Sequence, residues 1–120
     1  MSEYSDLIID LARTVWGDLG PGYSERVYHN AMEVMLRNAG VAYETERIIP
    51  IPFKGHVIGN LRADIVVNNK LIVELKAIRA LKEENKVQAK KYVELTGLPC
   101  TLLVNFPQPS GELEHLLVTQ

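Results

Sequence analysis

Apolar residues recur at helical spacing twice near the start of the chain, and then the period of the pattern changes. Leu7, Ile8, Leu11 and Val15 predict a first helix from about Ser5 to Trp16, which Gly17, Gly20, Pro21 and Gly22 interrupt. A second helix is predicted to run to Asn38, with Ser24 as its N-cap and Gly40 as its left-handed stop. Its apolar face reads Val27, Tyr28, Ala31, Val34 and Met35, and its polar face Arg26, Asn30, Glu33 and Arg37. From Val41 the pattern turns to β. Strands over 41–53, 56–67 and 71–78, separated by Lys54-Gly55 and by Asn68-Asn69-Lys70, form a three-stranded meander. A third helix over Leu81 to Thr96 ends at Gly97 and Pro99, and strands over 100–106 and 112–119 close the order ααβββαββ.

The turn at Asn68-Asn69-Lys70 sets a register with chemical consequences. A three-residue loop puts Val67 opposite Leu71, so that Asp64 faces Glu74 and Arg62 faces Lys76 on one side of the ribbon. Ala63, Ile65, Val73 and Leu75 then point to the other side, whereas a two-residue turn would shift the register and spoil the pairing. Cross-strand neighbours have Cβ atoms about 4.5–5.5 Å apart, and like charges there repel. Either a Mg²⁺ or Mn²⁺ ion bound to the two carboxylates compensates them, or Arg62 and Lys76 do so in a solvated ladder of weak ion pairs. Spacing leaves both readings open.

Size and composition narrow the classes. A chain of 120 residues, 47% apolar and 23% charged, points to one globular domain spanning 1–120. No apolar run approaches the roughly 20 residues needed to cross a bilayer, so no membrane association is expected. The opening Met-Ser-Glu-Tyr-Ser-Asp lacks the basic start and apolar stretch of a leader, and a cytoplasmic location is the default expectation. One cysteine, Cys100, cannot make a disulfide or a thiolate cluster unaided, so it reads as a small buried strand residue and any metal chemistry must use oxygen ligands. His29, His56 and His115 are scattered and read as surface or core-edge residues.

The net charge of -2 argues against a general nucleic-acid coat protein. Its distribution is less neutral. Arg62, Lys76, Arg79, Lys82, Lys86, Lys90 and Lys91 crowd the segment that also carries Asp64 and Glu74. They could hold phosphates beside a metal, or form the solvated face of a lysine-rich helix. In that helix Ala89, Tyr92, Val93 and Leu95 define the inward arc, and Gln88 falls within it. A buried amide needs partners, so Gln88 faces either a polar site or a water. Glu25, a first-turn acid favoured by the helix dipole, projects toward the core side between Met32 and Leu36.

Gly22-Tyr23-Ser24-Glu25-Arg26-Val27-Tyr28 reads G-x-x-E-x-x-Y, and with it the chain resembles the GxxExxY proteins of the PD-(D/E)XK nuclease-like superfamily. The resemblance extends to Asp64, to Glu74-Leu75-Lys76 and to Gln88-Ala89-Lys90-Lys91-Tyr92, which is similar to the Q-x-x-x-Y element of RecB-type nucleases. Arg62-Ala63-Asp64 departs from the pattern in having no proline before the aspartate. The resemblance implies an α/β, restriction-endonuclease-like core with a mixed central sheet flanked by helices. It implies Mg²⁺, replaceable by Mn²⁺, held by Asp64, Glu74, the Leu75 carbonyl and Glu25. Lys76 would position or deprotonate a water, Gln88 and Tyr92 would orient the strand or Lys76, and Tyr28, Arg62, Arg79 and Lys86 would bind or position nucleic acid. The implied activity is phosphodiester hydrolysis, in DNA rather than RNA. The alternative is a catalytically silent module that binds nucleic acid or a partner, and the small acidic chain would grip a duplex better as a homodimer.

Overall fold

A computed structural model describes residues 4–120; Met1 to Glu3, the start of the segment read as lacking a leader, lie outside the described residues. Among the described residues the elements are α1 (Ser5–Leu19), α2 (Glu25–Asn38), β1 (Tyr43–Phe53), β2 (His56–Val67), β3 (Leu71–Lys76), α3 (Glu83–Thr96), β4 (Cys100–Asn105) and β5 (Glu114–Thr119). The order is the expected ααβββαββ. Helix α1 passes through Gly17 and ends at Gly20, whose φ of 64° turns the chain while its N–H still reaches the Trp16 carbonyl. None of these helices is long and apolar enough to cross a membrane.

The strands form one mixed sheet in the order β1-β2-β3-β4-β5, antiparallel except for the parallel pair β3/β4 that α3 connects. Asn68 and Asn69 take φ values of 47° and 53°, a left-handed pair that asparagine tolerates, and Lys70 N–H donates to the Val67 carbonyl at 2.9 Å. That turn sets Val67 opposite Leu71, as the sequence predicts.

Pleat alternation divides the core between the two faces of the sheet. Leu71, Val73 and Leu75 of β3 join Leu102 and Val104 of β4 beneath Ile8, Ala12 and Val15 of α1 and Tyr28, Met32 and Leu36 of α2. Ile72 and Val66 face the other way, with Tyr92 of α3. The face that α2 buries differs from the predicted one. Tyr28, Met32 and Leu36 lie inside with His29, whereas Val27 and Val34 are exposed. Apolar residues surround much of this helix, and the ridge of long side chains spaced by four covers the sheet better than the two valines do.

Ala63 also departs from expectation. It packs with Tyr92 on the α3 side, while Ile65 packs on the α1/α2 side. The alternation breaks between them, at Asp64. Across β1, Thr45 pairs with Ile65 and Arg47 with Ala63, so Glu46 lies opposite Asp64, and Glu46 has a φ of 58° that interrupts regular strand geometry. At the far end of β3 the chain leaves the sheet at Lys76, short of the predicted Ile78. The Ile78 N–H and carbonyl are taken instead by the buried side chain of Asn105, at 2.9 and 3.0 Å.

Candidate active site

The pairing of β2 with β3 ends at Ile65 and Val73. One step further, the register sets Asp64 opposite Glu74, and side chains take over from the ladder. Asp64 N–H donates to Glu74 Oε1 at 3.0 Å, and Leu75 N–H donates to Asp64 Oδ2 at 2.8 Å. Each carboxyl thus commits one oxygen to the other strand's main chain, which holds both acids side by side where the strands part. Glu74 is almost fully buried and Asp64 partly so.

Helix α2 supplies the next acid. Glu25, Arg26, His29 and Asp64 line one cavity of about 190 Å³. Burial raises the Glu25 carboxyl above its ordinary range, and the Asp64 charge adds to the effect. Burial likewise raises Asp64, opposed by the hydrogen bond from Leu75 N–H. Glu74 is pushed up to about 8, first by burial and then by the Asp64 charge. Tyr28 aligns this helix. Its hydroxyl donates to the Gly20 carbonyl at 2.7 Å and accepts from Gln108 Nε2 at 3.1 Å, and its ring stacks on Phe106 at 4.5 Å. It is fully buried. That leaves it no surface for nucleic acid, and its part is to hold the first turn of α2, where Glu25 sits.

Helix α3 closes the other side. Gln88 Oε1 accepts from Lys76 Nζ at 3.4 Å, so the amide inside the apolar arc faces the polar site. The Tyr92 hydroxyl donates to the Arg62 carbonyl at 2.8 Å, pinning β2 just before Asp64. Burial raises the Tyr92 phenol, and the Glu74 and Asp64 charges nearby raise it further.

The four-charge ladder does not form. Lys76 turns to Gln88, and Arg62 approaches Glu46 at 3.7 Å, because β2 and β3 are no longer paired at that level. Glu46 also accepts from Arg26 at 2.7 Å, and that hydrogen bond lowers its pKa. Arg79 and Lys86 are exposed. Lys86 approaches Glu83 at 3.9 Å and shares a groove on α3 with Lys90, Lys91 and Glu94, so this basic run reads as a mixed solvated face. The Leu75 side chain is buried in the core and its amide serves Asp64.

Two residues near the site escaped the sequence. His29 is buried, with Nε2 3.1 Å from Glu33 Oε2 in a geometry that makes no hydrogen bond. Its position one turn after Glu25 was the available signal. Glu46 stands opposite Asp64 through a strand irregularity that no local pattern announces.

Among the described residues no three His, Cys, Asp or Glu side chains already converge as a metal-gripping cluster. The donor chemistry nonetheless fits a hard divalent cation. Glu74 is buried, Asp64 partly buried and Glu25 at the exposed mouth of the cavity. The Lys76 charge offsets Glu74 and Glu25 without cancelling their upward shift, and an ion with oxygen ligands would complete the compensation.

The sequence matches the family model of the PD-(D/E)XK nuclease superfamily over residues 2–116. No curated protein matches it. Among solved structures the chain is similar to the crystal structure of SSO0001, with TM-score 0.61 and 22% identity over 79% of this chain and 49% of that one. The chain therefore spans about half the length of SSO0001, and the likeness is one of fold. An alkaline exonuclease from Laribacter hongkongensis aligns with TM-score 0.46 and 11% identity, over 100% of this chain and 72% of its own.

Proposed function

Because the chain belongs to the PD-(D/E)XK nuclease superfamily, we infer that it is a divalent-metal-dependent nuclease, with DNA as its substrate. The observation that carries this reading is the exchange of Asp64 and Glu74 across the point where β2 and β3 part, with Lys76 following on the same strand. Asp64, Glu74, the Leu75 carbonyl and Glu25 would hold Mg²⁺, or Mn²⁺ in its place. Such an ion lowers the pKa of a bound water and draws charge from the phosphoryl oxygen. Lys76 Nζ, steadied by Gln88, donates to a non-bridging phosphate oxygen and stabilises charge that builds up as water adds to phosphorus and the ester P–O bond breaks. Tyr92 keeps the backbone before Asp64 in register, and Tyr28 does the same for the turn of α2 that carries Glu25.

The test is cleavage of linear and branched DNA, and of matching RNA, with Mg²⁺, Mn²⁺ or EDTA. Metal-dependent cutting by the wild type, lost in Asp64→Ala and in Lys76→Ala, supports the reading; equal activity in wild type and Asp64→Ala rejects it. A second reading, a fold-retaining module that binds nucleic acid without cutting it, is favoured by one observation. Asp64 and Glu74 each spend one carboxylate oxygen on a backbone N–H of the neighbouring strand. Duplex binding that survives Glu74→Ala, with no turnover under any metal, selects that reading.

A further inference from the structure

Beyond the sheet, β1 and β2 continue as a two-stranded arm with unusual surface chemistry. The paired register of β3 reaches β2 only at Ile65 to Val67, so from Ala63 outward β1 and β2 have only each other as sheet neighbours. Every residue from Pro52 to Ile58 is exposed, and the molecule measures 47 × 31 × 24 Å, long in one direction. Among the described residues the three most exposed large apolar side chains all lie at this tip: Phe53 at 58%, Val57 at 66% and Ile58 at 64%. A bulge presents two of them together, because Ile51 pairs with Gly59 but Pro52 with Val57, which leaves Ile58 as an extra residue on β2.

Charge says what fits against it. From Ile48 to Ala63 the chain has no Asp or Glu and carries Lys54 and Arg62, in a protein of net charge -2. Arg47, at the base of the arm, is paired with Glu44, and Arg62 stays largely exposed although Glu46 lies 3.7 Å away. Lys54 lies 5.8 Å over the Phe53 ring, which joins a cation to the apolar tip. A second copy is a poor occupant. Its arm carries the same positive charge, and Pro50 and Pro52 remove N–H donors from β1, the edge strand that would accept another strand. A polyanion with apolar surface between its charges suits both features, and nucleic acid is one.

We propose that this arm binds the nucleic-acid substrate, with Phe53, Val57 and Ile58 wedged between bases and Lys54 and Arg62 on the flanking phosphates. The proposal rests on the nuclease reading and deepens it. Apolar side chains inserted at a base step unstack and bend a duplex, and the arm is continuous with the site through Ala63 and Asp64. At about 3.3 Å per residue, Ile58, Val57 and the Phe53–His56 pair stand roughly 20–26 Å along the strand from Asp64, more than half of a helical turn of about 34 Å. The arm thereby fixes the distance between a distorted base step and the bond that is cut.

The experiment measures binding of a fluorescein-labelled duplex by anisotropy, with Ca²⁺ in place of Mg²⁺, across a salt series. Turnover of bis(p-nitrophenyl) phosphate, a diester too small to reach the arm, is followed in parallel with Mg²⁺ and Mn²⁺. The triple variant Phe53→Ser, Val57→Ser, Ile58→Ser is expected to weaken duplex binding about tenfold or more, the size of lost base contacts, with the salt slope unchanged. Lys54→Ala is expected to reduce that slope by about 1. Both variants should melt with the wild type and treat the small diester as it does. If the triple variant binds the duplex as the wild type does, the arm proposal falls and the nuclease reading stands. Conversion of a dimer into a monomer by the triple variant, seen by sedimentation, would also overturn it and make a second copy the occupant. A wild type that neither binds the duplex nor hydrolyses the diester removes the nuclease reading, and the arm with it.

Discussion

Ile65 and Ile58 lie on the same strand, yet one is fully buried and the other is 64% exposed. At Ile65 the strand has β1 on one side, β3 on the other and helices over the sheet; at Ile58 it has β1 alone. The inner half of β2 is therefore a stability element and the outer half a surface. Asp64 sits at their border, where the main chain still needs partners but the ladder no longer supplies them, and carboxylates meet that need. A polar site placed at the edge of pairing can be rigid, because its hydrogen bonds reach the backbone, and still open to an ion or substrate.

The two isoleucines give the largest contrast. Ile65→Ala is expected to cost about 2–5 kcal/mol, and Ile58→Ala less than about 0.5 kcal/mol, both read from urea unfolding midpoints. Equal losses would mean that the outer half is packed against something.

At the border itself, Glu74→Ala and Lys76→Ala should each lower metal-dependent cleavage about 10²–10³-fold or more, in single-turnover assays on labelled DNA. Loss in Lys76→Ala without loss in Glu74→Ala would separate the lysine from any bound ion.

The buried acid also makes stability depend on pH. With its carboxyl raised from 4.5 to about 8, Glu74 holds a proton in the folded chain that the unfolded chain releases across that interval. The native state thus binds more protons, and the stability this one group contributes, fully present below about 4.5, is lost as pH rises through about 8. In EDTA the melting temperature should fall from pH 5 to pH 8, and Glu74→Gln should flatten that slope. Added Mg²⁺ or Mn²⁺ should raise the melting temperature most at the upper end; a melting curve indifferent to both ions would sink the metal site.

Smaller effects test the supports. Tyr92→Phe removes the hydroxyl that pins the Arg62 carbonyl and should cost about 1 kcal/mol in denaturant titration, with some loss of cleavage rate. Arg62→Ala, which breaks an exposed pair with Glu46, should change stability by about 0–1 kcal/mol, whatever it does to nucleic-acid affinity.

Much of this was readable from residues that act locally. Periodicity and breakers placed every helix and strand within a few positions, since a glycine with positive φ or a change from helical to alternating spacing is settled by the chain's immediate neighbours. The Asn68-Asn69 turn carried furthest, because one loop sets a whole hairpin register and so brings Asp64 opposite Glu74. What packing decided lay elsewhere. The rotation of α2 that buries His29 depends on which ridge best covers the sheet, and several of its faces are apolar enough to compete. Counting back from the Lys54-Gly55 turn puts Ala63 opposite Glu46; the extra residue at Ile58 shifts the register and brings Asp64 there instead. Bulges, strand ends and helix rotations are chosen by partners distant in sequence, and only the folded chain assembles those partners.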